Sequence, residues 1–319
     1  MTLLTTAFVF PGQGSQVVGM GSDVAQAFSV AGQMYEEAND ILGISISSLC
    51  FFGPEEDLNN TFNTQPALYV TSLAILRALE TELPEIRPAF YAGHSLGELT
   101  ALAASGAMTF ADGLRLVRER GRLMEEAGKQ NPGAMAALLG LNADVVEEVC
   151  RKAEETTGQT LVLANDNCPG QIVISGAVEA VDVGIVLAKE AGARRAVKLP
   201  VSIASHSPLM QAASDSFREA LDTIEFSQPS APVYANITAA PLETPDAIRA
   251  ELTNQLVSRV RWTDTVQNLV KDGATTFVEI GPKDVLSGLN RRISSEITSV
   301  SLNSETAIRE YVQNITTNT

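Results

Sequence analysis

A serine hydroxyl is a weak nucleophile until the backbone lifts it clear and a neighbouring base takes its proton. The residues Gly93-His94-Ser95-Leu96-Gly97 offer the first condition. An apolar run from Pro88 to Ala92 reads as a strand, and a helical run continues through Ser105. Gly-x-Ser-x-Gly between a strand and a helix is the pattern of a nucleophile elbow. At so sharp a turn, a side chain two residues before or after the serine would collide with the neighbouring strand or helix. The helix that follows aims its free N–H groups at the same spot, where they favour negative charge. A plain turn with a capping serine would use the same letters; the strand–turn–helix context favours the nucleophile.

The base follows by elimination, because the chain has only two histidines. His94 lies inside the elbow, where adjacent residues point in different directions, and is expected to make a structural hydrogen bond beside the site. His206 remains. It precedes Ser207-Pro208, a helix start with a cap and a proline at the first helical position, so it sits on a loop entering a helix. It also lies mid-chain with no obvious acid ahead of it, unlike the order serine, acid, histidine of ordinary α/β-hydrolases. A neutral acceptor such as a backbone carbonyl is the expected partner of its second ring nitrogen. That arrangement suits acyl transfer better than fast hydrolysis.

Arg120 raises a separate question. Its neighbours three and four residues away are Leu116, Val117, Leu123 and Met124, all apolar, with no carboxylate among them. Either its stem lies on apolar surface while the head reaches water, or its partner comes from elsewhere, for instance a substrate carboxylate. A loop after the first strand, Pro11-Gly12-Gln13-Gly14, lacks the lysine of a phosphate loop and the full glycine set of a dinucleotide site. It is placed to supply a second oxyanion donor beside the elbow.

The elements that must position these groups read as an α/β chain. Strands are expected at Thr5–Phe10, at 88–92, at Pro232–Ile237 and at Thr276–Gly281, with a last strand and helix to finish. Helices are expected over 22–41, from about Asn63 with Pro66 at an early position, over Asp112–Ala127, Pro245–Val257, Thr263–Asp272 and Lys283–Ile293. On the 112–127 helix Leu114, Val117, Gly121 and Met124 form the buried stripe, and Arg115–Glu119 and Arg122–Glu126 a solvated face. Between them, Met135–Leu139, Ala143–Glu155, Thr160–Ala164, Gln171–Ser175, Ala177–Ala191 and Arg195–Pro200 give β-α-β-β-α-β, with a turn over Asn165–Gly170. The expected architecture is an α/β-hydrolase-like large subdomain with a parallel sheet, residues 1–128 and 201–319, and an inserted ferredoxin-like small subdomain, 129–200.

Composition bounds the rest. With 319 residues, 45% of them hydrophobic, the chain can bury a sizeable core. A formal net charge of −16 argues against nucleic acid. Cys50, Cys150 and Cys168 show neither metal spacing nor an even disulfide framework. The first apolar run leads into a glycine loop, as a strand does and a signal peptide does not, and no apolar run approaches the ~18 residues of a membrane span. A cytoplasmic protein is expected.

Taken together, Phe10 to Gln16, Thr64-Gln65-Pro66-Ala67, Gly93 to Glu98, Arg118 to Gly121, Asn165 to Gly176, Ser205-His206 and Val278 to Pro282 resemble the malonyl-CoA:acyl carrier protein transacylases of fatty-acid and polyketide synthesis. The resemblance covers nearly the whole chain. It implies an acyltransferase in which Ser95 takes the malonyl group from malonyl-CoA and His206 shuttles the proton. Main-chain N–H groups of Gln13 and Leu96 would hold the oxyanion, Arg120 would pair with the malonyl carboxylate, and the Gln255 carbonyl would orient the histidine. The phosphopantetheine thiol of acyl carrier protein would then accept the acyl group in ping-pong order, with no metal and no bound cofactor. Ile203-Ala204 before Ser205-His206 departs from the commonest bacterial pair and leaves malonyl and methylmalonyl both open. Two basic clusters, Lys189/Arg194/Arg195/Lys198 and Arg291/Arg292, are candidate docking points for an acidic carrier protein. A small-ester hydrolase (esterase or thioesterase) and a non-catalytic carrier-binding subunit are the competing readings.

Overall fold

The structure is a computed structural model that describes residues 2–84 and 86–317. Strands run in chain order as β1 (Thr2–Phe10), β2 (Arg87–Gly93), β3 (Gly133–Leu139), β4 (Leu161–Cys168), β5 (Gln171–Ala177), β6 (Arg195–Lys198), β7 (Val233–Tyr234), β8 (Pro241–Leu242), β9 (Thr276–Ile280) and β10 (Thr298–Leu302). They form two sheets. The larger has the order β10-β9-β1-β2-β7-β8, parallel except for the short β7–β8 hairpin. The smaller has the order β4-β5-β3-β6 and is antiparallel, the ferredoxin-like arrangement. The fold is therefore an α/β-hydrolase-like sheet carrying an inserted ferredoxin-like unit. The helices between the strands of each sheet bury their apolar stripes on its faces, as parallel strands covered on both sides require.

The registers set the site. Phe10 is opposite Gly93 at the carboxyl ends of β1 and β2, so the 11–16 loop and the elbow leave the sheet side by side. Ala92 is opposite Tyr234, which brings the segment after β7 to the other flank of the elbow. Ligands in open α/β sheets bind at such carboxyl ends, where the strand order reverses.

Several boundaries differ from the sequence expectation for local reasons. The 22–41 helix is two helices, Ser22–Ala27 and Ser29–Leu42, broken where Phe28 is extended and tucks its ring into the core. Pro66 lies inside the helix Thr61–Glu82, which is capped by Asn60 rather than starting near residue 64. Proline has no N–H to give the Phe62 carbonyl; that carbonyl takes Arg118 Nη1 instead, at 3.0 Å. The strand expected over 232–237 is only two residues long, and the hairpin turn shrinks because β4 continues to Cys168. Arg115 pairs with Asp112 at 3.4 Å, while Glu119 pairs with Arg122. Among the described residues, no helix is long and apolar enough to cross a membrane.

Candidate active site

The elbow exists because both glycines are glycines. A Cβ on Gly93 would stand 1.9 Å from the Gly97 carbonyl oxygen, and one on Gly97 would stand 2.0 Å from the Phe10 oxygen. Ser95 itself is held at φ 52° and ψ −107°, a region L-residues adopt only when their surroundings force it. The forcing group is Asn236. Its Oδ1 accepts the Ser95 N–H at 2.6 Å and its Nδ2 donates to the Gly93 carbonyl at 2.7 Å, clamping the turn from β7.

Ser95 Oγ stands at the meeting point of two groups. His206 Nε2 is 2.8 Å away, and Arg120 Nη2 donates to the same oxygen at 3.1 Å. The other ring nitrogen of His206, Nδ1, faces the carbonyls of Gln255 (2.9 Å) and Ser258 (3.1 Å). Two acceptors at Nδ1 fix the proton there, so Nε2 is the lone-pair nitrogen facing the hydroxyl. No carboxylate performs this task. The Gln255 carbonyl ends the helix Pro245–Gln255, where unpaired carbonyls and the negative end of the helix dipole favour an imidazolium as it forms. Burial, and then the nearby Arg120 charge, depress the His206 pKa to about 3, so the ring is neutral at pH 7.

Arg120 is buried to 1% exposure. It does not reach water, so the snorkelling alternative falls. Nor does it meet a carboxylate directly. Nη1 donates to Gln65 Oε1 at 2.9 Å and approaches Met124 Sδ at 3.4 Å, Nη2 donates to Gln255 Oε1 at 2.8 Å, and Nε has no hydrogen-bond partner among the described residues. Burial lowers its pKa to about 10, opposed by the Glu98 charge, which leaves the guanidinium positive at neutral pH. A buried cation whose hydrogen bonds all end on neutral atoms is electrostatically poised for an anion.

These groups line a cleft of about 300 Å³. Gln13 and Leu96 lie on its wall beside Ser95. Leu96 opens the helix Leu96–Ala104, so its N–H has no earlier helical turn to bond. Met135, Ala137 and Val173, from β3 and β5, face the cleft from the small sheet. His94 turns away from the hydroxyl: its Nε2 bonds Asn167 Oδ1 at 2.8 Å and its ring tilts over Trp262. The structure thus brings Ser95, His206, Arg120, Gln13 and Leu96 to one cavity and sets the Gln255 carbonyl behind the histidine.

Sequence reasoning missed the partners under the elbow. Glu98, Asn236, Gln65 and the Gln255 side chain are all buried and all bonded to Ser95, Arg120 or each other. Glu98 carried a local signal, an acid in the first turn of an otherwise apolar helix. Asn236 carried none, because its role depends on the pairing of β7 with β2.

Sheet order and elbow define the class: an α/β-hydrolase-like protein with an inserted small sheet. Comparison with known proteins narrows it. The family described as "Acyl transferase domain" matches residues 7–313. A malonyl CoA-acyl carrier protein transacylase of Bacillus subtilis is 42% identical over 309 residues, 97% of this chain and 96% of that protein. The crystal structure of a malonyl-CoA:acyl carrier protein transacylase from Xanthomonas oryzae pv. oryzae has a TM-score of 0.94 at 43% identity, covering 98% of this chain and 99% of that one. A malonyl-transacylase solved in complex with a type II PKS acyl-carrier protein has a TM-score of 0.93 at 41% identity, covering 97% and 99%. The chain belongs to the acyl transferase domain family, among the malonyl CoA-acyl carrier protein transacylases.

Proposed function

We propose that the protein transfers a malonyl group from malonyl-CoA to the phosphopantetheine thiol of acyl carrier protein, through a malonyl ester on Ser95. It is an acyltransferase. The observation that carries the covalent route is the placement of one hydroxyl 2.8 Å from a neutral imidazole nitrogen and 3.1 Å from an arginine whose hydrogen-bond partners among the described residues are all neutral.

In the first half-reaction Ser95 Oγ attacks the thioester carbonyl and its proton passes to His206 Nε2. The oxyanion is met by the N–H groups of Gln13 and Leu96, at the positive end of the elbow helix. Arg120 exchanges its neutral partners for the malonyl carboxylate, which fixes the acyl chain with its carbonyl over Ser95. Collapse breaks the C–S bond, and the CoA sulfur leaves with the proton from His206. In the second half-reaction the carrier thiol gives its proton to His206 and attacks the ester, and Ser95 Oγ regains the proton as it leaves. An imidazole depressed to about 3 returns each proton readily once acquired. The Gln255 and Ser258 carbonyls hold it in the required tautomer throughout.

Several finer readings accompany this one. The division at 129–200 separates an elbow-bearing unit from a small unit that walls the cleft. The two half-reactions rest on side chains and main-chain groups alone, and malonyl-CoA enters as substrate. The protein acts in the cytoplasm, without nucleic acid or membrane. Ile203 lines the cleft, and its size against an α-methyl group bears on malonyl versus methylmalonyl, a difference of ~1–3 kcal/mol. For carrier docking, Arg292 bonds Gln171 at the cleft, and Arg195 begins β6 at the same end of the small sheet as Gln171. Arg195 and Arg292 therefore approach the same end of the small sheet.

Intact-mass measurement after mixing with malonyl-CoA tests the proposal. A malonyl-sized adduct, absent from Ser95→Ala and discharged by phosphopantetheinylated carrier, is expected. Many turnovers of CoA release without an acceptor would make the protein a hydrolase, and no adduct at all would make it a binding subunit.

A further inference from the structure

Beneath the elbow lies a set of buried groups that the steps above leave unused. Glu98 is 0% exposed. Its Oε1 accepts the Asn236 N–H at 3.3 Å and its Oε2 accepts Gln255 Nε2. Glu251, one turn before Gln255, accepts the Ile237 N–H at 2.8 Å, and its charge raises the Glu98 pKa. Two carboxyls this close in a dry site do not both ionise, and burial holds both above the ordinary carboxylate range. The pair keeps one proton and one negative charge. Wherever that proton sits, the contacts of Glu98 are set: Oε1 accepts the Asn236 N–H and Oε2 accepts Gln255 Nε2.

The consequence falls on Gln255. An amide has one accepting and one donating end, and its neighbours decide which faces where. Glu98 meets the amide with an accepting oxygen. Gln255 must turn Nε2 toward it, where Nε2 also reaches the Ser95 carbonyl at 3.0 Å, and Oε1 then falls opposite Arg120 Nη2. We propose that Glu98 is a positioning residue for Arg120: its carboxylate locks the Gln255 amide with the oxygen toward the guanidinium. Glu98 stands one amide away from the guanidinium, which keeps neutral partners that a substrate carboxylate can displace. This inference rests on the reading of Arg120 as the malonyl clamp.

Glu98→Gln tests it without changing shape. One end of the new side chain is an NH₂ group, which must face either the Asn236 N–H or the Gln255 NH₂, donor against donor. Gln255 relieves the clash by flipping and turns its own NH₂ on Arg120. Acylation by malonyl-CoA should fall about 30-fold and acylation by acetyl-CoA less than about threefold, so the malonyl-to-acetyl ratio drops roughly tenfold. A general loosening of the elbow would lower both alike; an unchanged ratio overturns the proposal. Glu251→Gln leaves the Glu98–Gln255 contact in place and should move the ratio by less than about threefold. If Glu98→Gln fails to fold, Glu251→Gln still decides, since a roughly tenfold drop there places control of the amide on Glu251 and overturns the lock. Wild-type protein that forms no malonyl adduct would instead sink the transferase reading itself, a different result from any of these.

Discussion

The two walls of the cleft are built on opposite plans. The elbow wall is a buried polar network in which Ser95, His206, Arg120, Gln255, Glu98 and Asn236 are tied by short side-chain and main-chain bonds. The small-sheet wall is chiefly apolar, with Met135, Ala137, Val173, Leu199 and Val201 facing the cavity and Asn165, Asn167 and Gln171 as its polar members. Its outer side carries exposed ion pairs such as Arg151–Glu148 within a helix and Lys198–Asp182 between β6 and a helix, which contribute little to stability. The contrast assigns chemistry to one wall and enclosure and partner contact to the other. Charge development needs fixed dipoles, and those are affordable only where every buried donor and acceptor finds a partner. An apolar wall excludes water from an ester intermediate without such demands.

Substitutions on the two walls should therefore differ in kind. The largest effect is expected from His206→Ala, which removes the proton acceptor and should slow acylation by about 10³-fold in a stopped-flow assay of CoA release. The same variant has a stability signature of definite sign. His206 is neutral in the folded protein down to about pH 3, whereas an unfolded histidine protonates near ~6.5. Between those values the unfolded chain binds the extra proton, so the wild type loses stability as pH falls from ~6.5 toward 3. His206→Ala lacks that loss. The wild-type-minus-variant difference in unfolding free energy should shrink by roughly 2–3 kcal/mol between pH 7 and pH 4.5. A constant difference would mean the ring is not held neutral.

Arg120→Ala should come next. Without the guanidinium, the malonyl carboxylate enters an apolar site unpaired, at several kcal/mol, and malonyl loses its advantage over acetyl by about 10²-fold. With acetyl-CoA as donor, the acid limb of the acylation profile should also move upward, because the Arg120 charge is one of the two leading causes that depress His206. A variant that keeps both its selectivity and its acid limb would return Arg120 to a packing role.

Much of the elbow wall was legible in the sequence. The paired glycines around Ser95, the single spare histidine and an arginine among apolar neighbours each carried a local physical reason, and the structure brings all three to one cavity. The order of elements in the small sheet was equally plain, because alternation and helical periodicity are local. What stayed hidden depends on registry between distant strands. Asn236 looks like any loop residue until β7 is set beside β2, and Gln255 could have been an exposed helix residue until its carbonyl reached His206. Pro66 misled for the opposite reason. A proline is a sound local signal for a helix start, but here Arg118 takes the carbonyl it leaves free, and the helix runs through.

The smallest effect, and the one that sharpens the comparison most, belongs to the outer wall. Arg194 and Arg195 are exposed at one end of the small sheet, and neither is among the residues that line the cleft. In a chain of net charge −16 they are a local exception to the prevailing field, and a local exception is what an acidic carrier needs for productive encounter. Reversing both to glutamate should raise the KM for carrier protein by about three- to tenfold, and more at low salt than at 0.5 M. The rate of malonyl-serine formation from malonyl-CoA should not change, since no element of the elbow network reaches that edge. An equal fall in both half-reactions would show that the small unit transmits strain to the elbow and that the two walls are not independent. An unchanged carrier KM would move docking to Arg291 and Arg292.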